Sequence, residues 1–229
     1  MFYSINPTYL YFAIPGLILG IIAQILISVR YNKYSNQDAG NNRTGLDTAK
    51  LLRSQEDYPV DISLTQGRLK DNFNPVKDIV NISSDNVHSG SVANIAVVAH
   101  EFGHVDQKFS SSILFKIRTA IVPIVNVGSH LGYILFFLGL LLNALNLAEL
   151  GLILFASSTV FALITLPIEF NASSRGMKLI EKYDLIAQDR RNGARKVLNA
   201  AALTYIAGFV TSIGNLLYYV NILSGRKKT

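Results

Sequence analysis

The sequence predicts a mainly α, multi-pass membrane protein with about four transmembrane helices and one small α+β portion. Three observations predict it. Half of the 229 residues are hydrophobic and only 16% are charged, so the mean hydropathy is positive. Charged side chains are nearly absent from several stretches long enough to cross a hydrocarbon core of about 30 Å, which takes about 20 helical residues. Polar residues gather instead in one sizeable stretch, residues 30 to 90; a soluble core would not be segmented in this way. The expected organisation is a first transmembrane helix within 1–29, a cytoplasmic α+β portion over 30–118, and membrane helices two to four within 119–229, with a basic cytoplasmic loop around 170–198.

The first apolar run, Tyr9 to Val29, contains no charge. It lacks the basic residues that precede a signal peptide's apolar centre, and Arg30 and Lys33 follow it, so the segment is expected to stay and to span. Positive charge on its C-terminal side places the N-terminus outside and Arg30 onward in the cytoplasm. The turn-rich piece Ser35 to Thr44 reads as a linker. Thr44 with Asp47 at its third position makes an acidic capping box for a short helix through about Gln55. Val60, Ile62 and Leu64, then Val80 and Ile82, alternate with polar residues as half-buried strands do, with turns at Gly67 and at Asn74-Pro75. His88 reads as an exposed loop histidine, ahead of a helix capped by Ser89 or Ser91.

That helix, expected over Val92 to Val105, is apolar almost all the way round and is interrupted mainly by His100, Glu101 and His104. On a helix, residues four apart share a face, so the two imidazoles can aim at one ion. Buried imidazole and carboxylate groups without partners cost several kcal/mol, and a shared divalent ion supplies a reason for them. The His-Glu-x-x-His spacing is that of zinc peptidases, in which the glutamate does not ligate but takes a proton from water, so this portion is expected to be zincin-like. The chain contains no cysteine, so zinc must be held by imidazole and carboxylate, as in catalytic sites more than structural ones.

A second apolar run extends from Thr119 to Leu147 and carries Asn126 and His130 on one face, expected to bond between helices. Asn143 to Asn146 suits an outside turn, and a third membrane helix is expected from Leu150 to Ile168. Glu169 ends that helix in an apolar setting and on the cytoplasmic side, followed by the basic cluster from Arg175 to Lys196. With cysteine excluded, Glu169 is the expected third metal ligand, the other reading being an anchor paired with Arg175. Asp189 is expected to cap a helix that turns wholly apolar from Ala200 to Leu223, where Gly208 and Gly214 permit close packing in lipid. Arg226, Lys227 and Lys228 then fall outside, against the positive-inside rule, unless that helix stops short.

Several stretches together resemble the prokaryotic membrane-bound neutral zinc metallopeptidases of the YugP-like type. They are Ile14 to Leu19, Gly67-Arg68-Leu69, Ala99 to His104, Leu166 to Phe170, and the long segment Ala194 to Tyr205. The resemblance covers nearly the whole chain. It implies a gluzincin-like peptidase in which His100, His104 and Glu169 hold zinc and Glu101 is the base. Two positions depart from the family's pattern: Asn171 stands where aspartate is usual, and Asp106 where an apolar residue is commoner.

The expected function is therefore hydrolysis of peptide bonds by a membrane-embedded zinc enzyme, with Glu101 as general base and Tyr205 a candidate oxyanion donor. The alternatives are a catalytically silent zinc-binding scaffold or chaperone, and a transporter suggested only by Asn126 and His130. Expected partners are a peptide or protein substrate, membrane proteins among them, and the lipid bilayer. The net charge of +6 sits mainly beside apolar segments, which argues for anionic lipid and against nucleic acid. Nothing in the sequence sets an oligomeric state.

Overall fold

A computed structural model describes residues 7–226. The chain is mainly helical: α1 (Pro7–Ser35), α2 (Gly45–Gln55), β1 (Asp61–Thr65), β2 (Asn72–Asn74), β3 (Ile79–Ser83), α3 (Ser84–His88), α4 (Val92–Phe109), α5 (Ile113–Leu141), α6 (Leu145–Lys182) and α7 (Arg191–Arg226). Four helices, α1, α5, α6 and the one ending at Arg226, are long and apolar enough to cross a membrane. The chain divides into two compact units, one formed by residues 1–23, 117–166 and 203–229, the other by 24–116 and 167–202. Each of those four helices contributes residues to both.

The first unit is a bundle whose outer face is apolar: Ile124 and Ile153 are each 69% exposed, a surface suited to lipid and costly in water. Its helices meet through small residues. A Cβ on Gly214 would overlap the Phe12 carbonyl, and one on Gly132 would come 2.7 Å from the Gly151 carbonyl oxygen. Gly208, also expected at such a contact, has nothing near it. Thr159 and Ser212 share a hydroxyl hydrogen bond of 2.7 Å between α6 and α7. His130 corrects an expectation: its Nδ1 donates 2.7 Å to the Asn126 carbonyl of its own helix, not to another, which satisfies a polar group locally. The second apolar run ends at Leu141, and α6 already begins at Leu145. Arg226 donates to the Leu140 carbonyl at 2.6 Å, so α7 reaches the α5–α6 turn. Its charge closes the C-terminus of α5, a position that favours a cation.

The second unit joins the sheet to the polar parts of the helices. Its strand order is β1-β3-β2, with β1 parallel and β2 antiparallel to β3. Central β3 buries Val80 and Ile82 completely, whereas in edge strand β1 Leu64 stays 60% exposed; the alternation there does not make a buried face. β2 is too short for a periodic signal and was not expected. Gly67, at φ +105°, turns the chain after β1, and Asn74 Oδ1 accepts from the amides of Val76 and Lys77 to close β2 in an Asx turn. Thr44 and Asp47 form the expected capping box of α2.

Two boundaries differ from expectation. The segment read as a basic loop is mostly helix, because α6 runs through Pro167 and Glu169 to Lys182. Proline removes a single backbone bond, and burial of Ala172, Leu179 and Ile180 holds the continuation in place. Asp189 lies within a short 3-10 turn, Gln188–Arg190, ahead of α7.

Candidate metal centre

α4 is buried almost throughout, as its all-round apolar sequence requires. Ser91 caps it by accepting from the Asn94 amide at 3.3 Å. The helix packs backbone to backbone on the start of the polar part of α6. A Cβ on Gly103 would overlap the Ala172 carbonyl, and one on Gly176 would come 2.8 Å from the Ala99 carbonyl oxygen. Because neither glycine carries a side chain, the helices approach closely enough for Glu169 of α6 to face His100 and His104 of α4.

His100 Nε2 and His104 Nε2 each lie 3.4 Å from Glu169 Oε2, and all three ligand atoms fall within 4.8 Å of one another. Direct charge-assisted hydrogen bonds would be shorter, about 2.7–2.9 Å. Donors sharing a tetrahedral zinc at about 2.0–2.2 Å sit about 3.4 Å apart, so the spacing fits an ion held between them. Glu169 is 2% exposed and His104 7%, a depth at which charge calls for compensation. Among the described residues this is the one such group of metal-ligating side chains. It includes neither His130 nor His88, which ends α3 exposed to solvent. The other reading of Glu169, pairing with Arg175, does not hold, since Arg175 bonds Asp106 and Asn171 instead.

The outer nitrogens are also engaged. His100 Nδ1 meets Ser173 Oγ at 3.1 Å and His104 Nδ1 meets Gln107 Oε1 at 2.9 Å, leaving both Nε2 atoms toward Glu169 as metal-ligating imidazoles require. The sequence reading missed Ser173 and Gln107. The available signal was helical spacing, since Gln107 follows His104 by three positions and Ser173 follows Glu169 by four. Asn171 and Asp106 meet at one side chain: Arg175 donates through Nε to Asn171 Oδ1 at 2.7 Å and through a terminal nitrogen to Asp106.

Glu101 stands beside this triplet without joining it. Its Oε2 accepts the Phe73 amide of β2 at 2.8 Å, so the unexpected strand serves to hold this carboxylate. Burial pushes its pKa above the ordinary glutamate value, against the lowering pull of His100, His104 and the Phe73 amide. Tyr205 lies on α7 in the bundle unit and is 39% exposed.

A carboxylate and two imidazoles, facing one another from α6 and α4, form a donor set of two histidines and one glutamate that could hold a metal ion, in a protein with four membrane-capable helices among the described residues. The chain belongs to the neutral zinc metallopeptidase family: the model of the family described as "Putative neutral zinc metallopeptidase" matches residues 9–224. It is also 39% identical, over 220 residues, to a Bacillus subtilis (strain 168) protein named "Putative membrane protease YugP", covering 95% of this chain and 98% of that one. No solved structure matches the chain.

Proposed function

We propose that the chain is a membrane-embedded zinc metallopeptidase that hydrolyses peptide bonds with Glu101 as general base. One observation carries the reading: a buried carboxylate, Glu101, held by the Phe73 amide beside a His100–His104–Glu169 donor set that it does not join. Family membership and the similarity to the protein named "Putative membrane protease YugP" support it. His100, His104 and Glu169 would hold the zinc, which when bound polarises a scissile carbonyl and makes water more acidic.

The remaining chemistry belongs to the protein. Glu101 keeps Oε2 on the Phe73 amide, and we assign Oε1 to accept the proton of the attacking water. Its burial-raised pKa makes it a stronger base than an ordinary glutamate. After attack, the same oxygen returns the proton to the amide nitrogen as the C–N bond breaks. β2 lies at an edge of the sheet, where an extended peptide can align by main-chain hydrogen bonds. We further assign the site-bearing unit to the cytoplasmic face of the cell membrane, from the positive charge of Arg30 and Lys33 at the C-terminal end of α1 and of the basic residues around the end of α6.

The test is cleavage of an unstructured, labelled protein by the detergent-purified chain, with zinc content measured alongside. Glu101→Gln is expected to keep stoichiometric zinc and lose about 10²–10⁴-fold in turnover. Cleavage by Glu101→Gln at the wild-type rate would remove the catalytic assignment.

A further inference from the structure

Behind His104 runs a chain of hydrogen bonds whose direction is set at both ends. Gln107, 1% exposed, places Oε1 at 2.9 Å from His104 Nδ1. Its Nε2 lies 2.7 Å from the Ile168 carbonyl oxygen and 2.9 Å from Asn171 Oδ1. Asn171 Oδ1 in turn accepts from Arg175 Nε at 2.7 Å. Arg175 is held by Asp106, to which Tyr58 also donates at 3.0 Å.

We infer that Gln107 is the positioning residue that sets which nitrogen of His104 carries the proton and which faces the metal. The inference rests on the zinc reading of His100, His104 and Glu169. A backbone carbonyl can only accept, so the Gln107 amide must turn its NH₂ toward Ile168. A guanidinium can only donate, so Asn171 must present its oxygen to Arg175 and, with the same oxygen, to Gln107. Turning the Gln107 amide over would set its oxygen against two other oxygens in a buried site. Its oxygen is therefore left for His104, which must donate from Nδ1 and keep the Nε2 lone pair toward Glu169. Partners of this kind fix the tautomer and orientation of ligating imidazoles, and losing one typically costs about 10–100-fold in metal affinity.

His100 is held differently. Its partner Ser173 Oγ can donate or accept, so the hydroxyl dictates no tautomer. Gln107 also ties α4 to the residue just before Glu169, so a single side chain orients one ligand and holds the turn that carries another.

The experiment measures zinc affinity by chelator competition on the full-length protein in detergent, together with ¹⁵N-histidine NMR of the zinc-free protein at a pH where both imidazoles are neutral. In the wild type, His104 is expected as the single Nδ1–H tautomer. Gln107→Met, close in shape but without hydrogen bonds, should mix the His104 tautomers and weaken zinc about 10–100-fold, while Ser173→Ala leaves the His104 tautomer as in the wild type. A wild-type His104 protonated on Nε2 overturns the inference, as does a Gln107→Met protein with unchanged affinity. If Gln107→Met fails to fold, the wild-type tautomer still decides. A wild-type chain that binds no zinc removes the zinc reading instead, and the NMR measurement judges Gln107 separately.

Discussion

Glu169 shows how much a single residue's setting decides. Its carboxylate lies 3.4 Å from each Nε2, while Arg175, the nearest basic residue in sequence, is taken by Asp106 and Asn171. Glu169→Ala is therefore expected to lose zinc on purification, whereas Arg175→Met keeps it in near-stoichiometric amount; metal analysis of both separates ligand from anchor. Full metal retention by Glu169→Ala would remove it from the donor set. The histidine pair and Glu101 were legible in the sequence because a helix turns fixed spacing into a shared face. Gln107 was not singled out, because a glutamine three residues past a histidine acquires meaning only when the Ile168 carbonyl arrives from another helix.

For the elements, the contact between α4 and α6 decides whether the donors converge. Gly103→Ala drives a methyl into the Ala172 carbonyl, and overpacking of this kind costs about 1–3 kcal/mol; both thermal stability and zinc retention are expected to fall. Gly208→Ala is the matched control, since nothing lies within 4 Å of its Cβ position. That change should be neutral or stabilise by up to about 1 kcal/mol through helix propensity. Thermal unfolding in detergent compares the two. The α2 cap gives a pH signature. The Thr44 hydroxyl and amide hold the Asp47 carboxyl below the usual carboxylate range, so its contribution is complete above the unfolded pKa of about 3.9 and fades as pH falls through the folded value. Thr44→Ala is expected to cost about 1 kcal/mol near neutral pH, with the difference from wild type shrinking in acid unfolding series. The short reach of β2 and the continuation of α6 past Pro167 escaped sequence reading for one reason: tertiary burial, not local propensity, holds them.

At the scale of the molecule, the cysteine-free chain makes the proposed orientation directly testable. Val76, in the site-bearing unit, is 81% exposed, and Leu142, in the α5–α6 turn, is 61% exposed. Introduced singly, Leu142→Cys should react with a membrane-impermeant maleimide in intact cells. Val76→Cys should react only in inverted vesicles; the reverse pattern would place the metal centre outside. Arg226 does not weigh against this orientation, because its guanidinium is engaged on the Leu140 carbonyl and Asn143 and serves helix capping. The four apolar runs were visible from composition alone, since a hydrocarbon solvent demands them. The exit of the last run was not, since it depended on which helix end Arg226 would meet.

By itself, the sequence determined the features that local spacing and solvent preference dictate: four membrane-capable helices, a His-Glu-x-x-His helix buried for lack of a polar face, and a carboxylate stranded among apolar residues at Glu169. The tertiary structure decided whatever depends on two segments meeting. Two glycines, Gly103 and Gly176, let α4 and α6 touch, which places Glu169 against both imidazoles. The Phe73 amide finds Glu101, and the Ile168 carbonyl turns Gln107 toward His104. These are short-range forces between residues far apart in the chain, so their partners become definite only once the helices have packed.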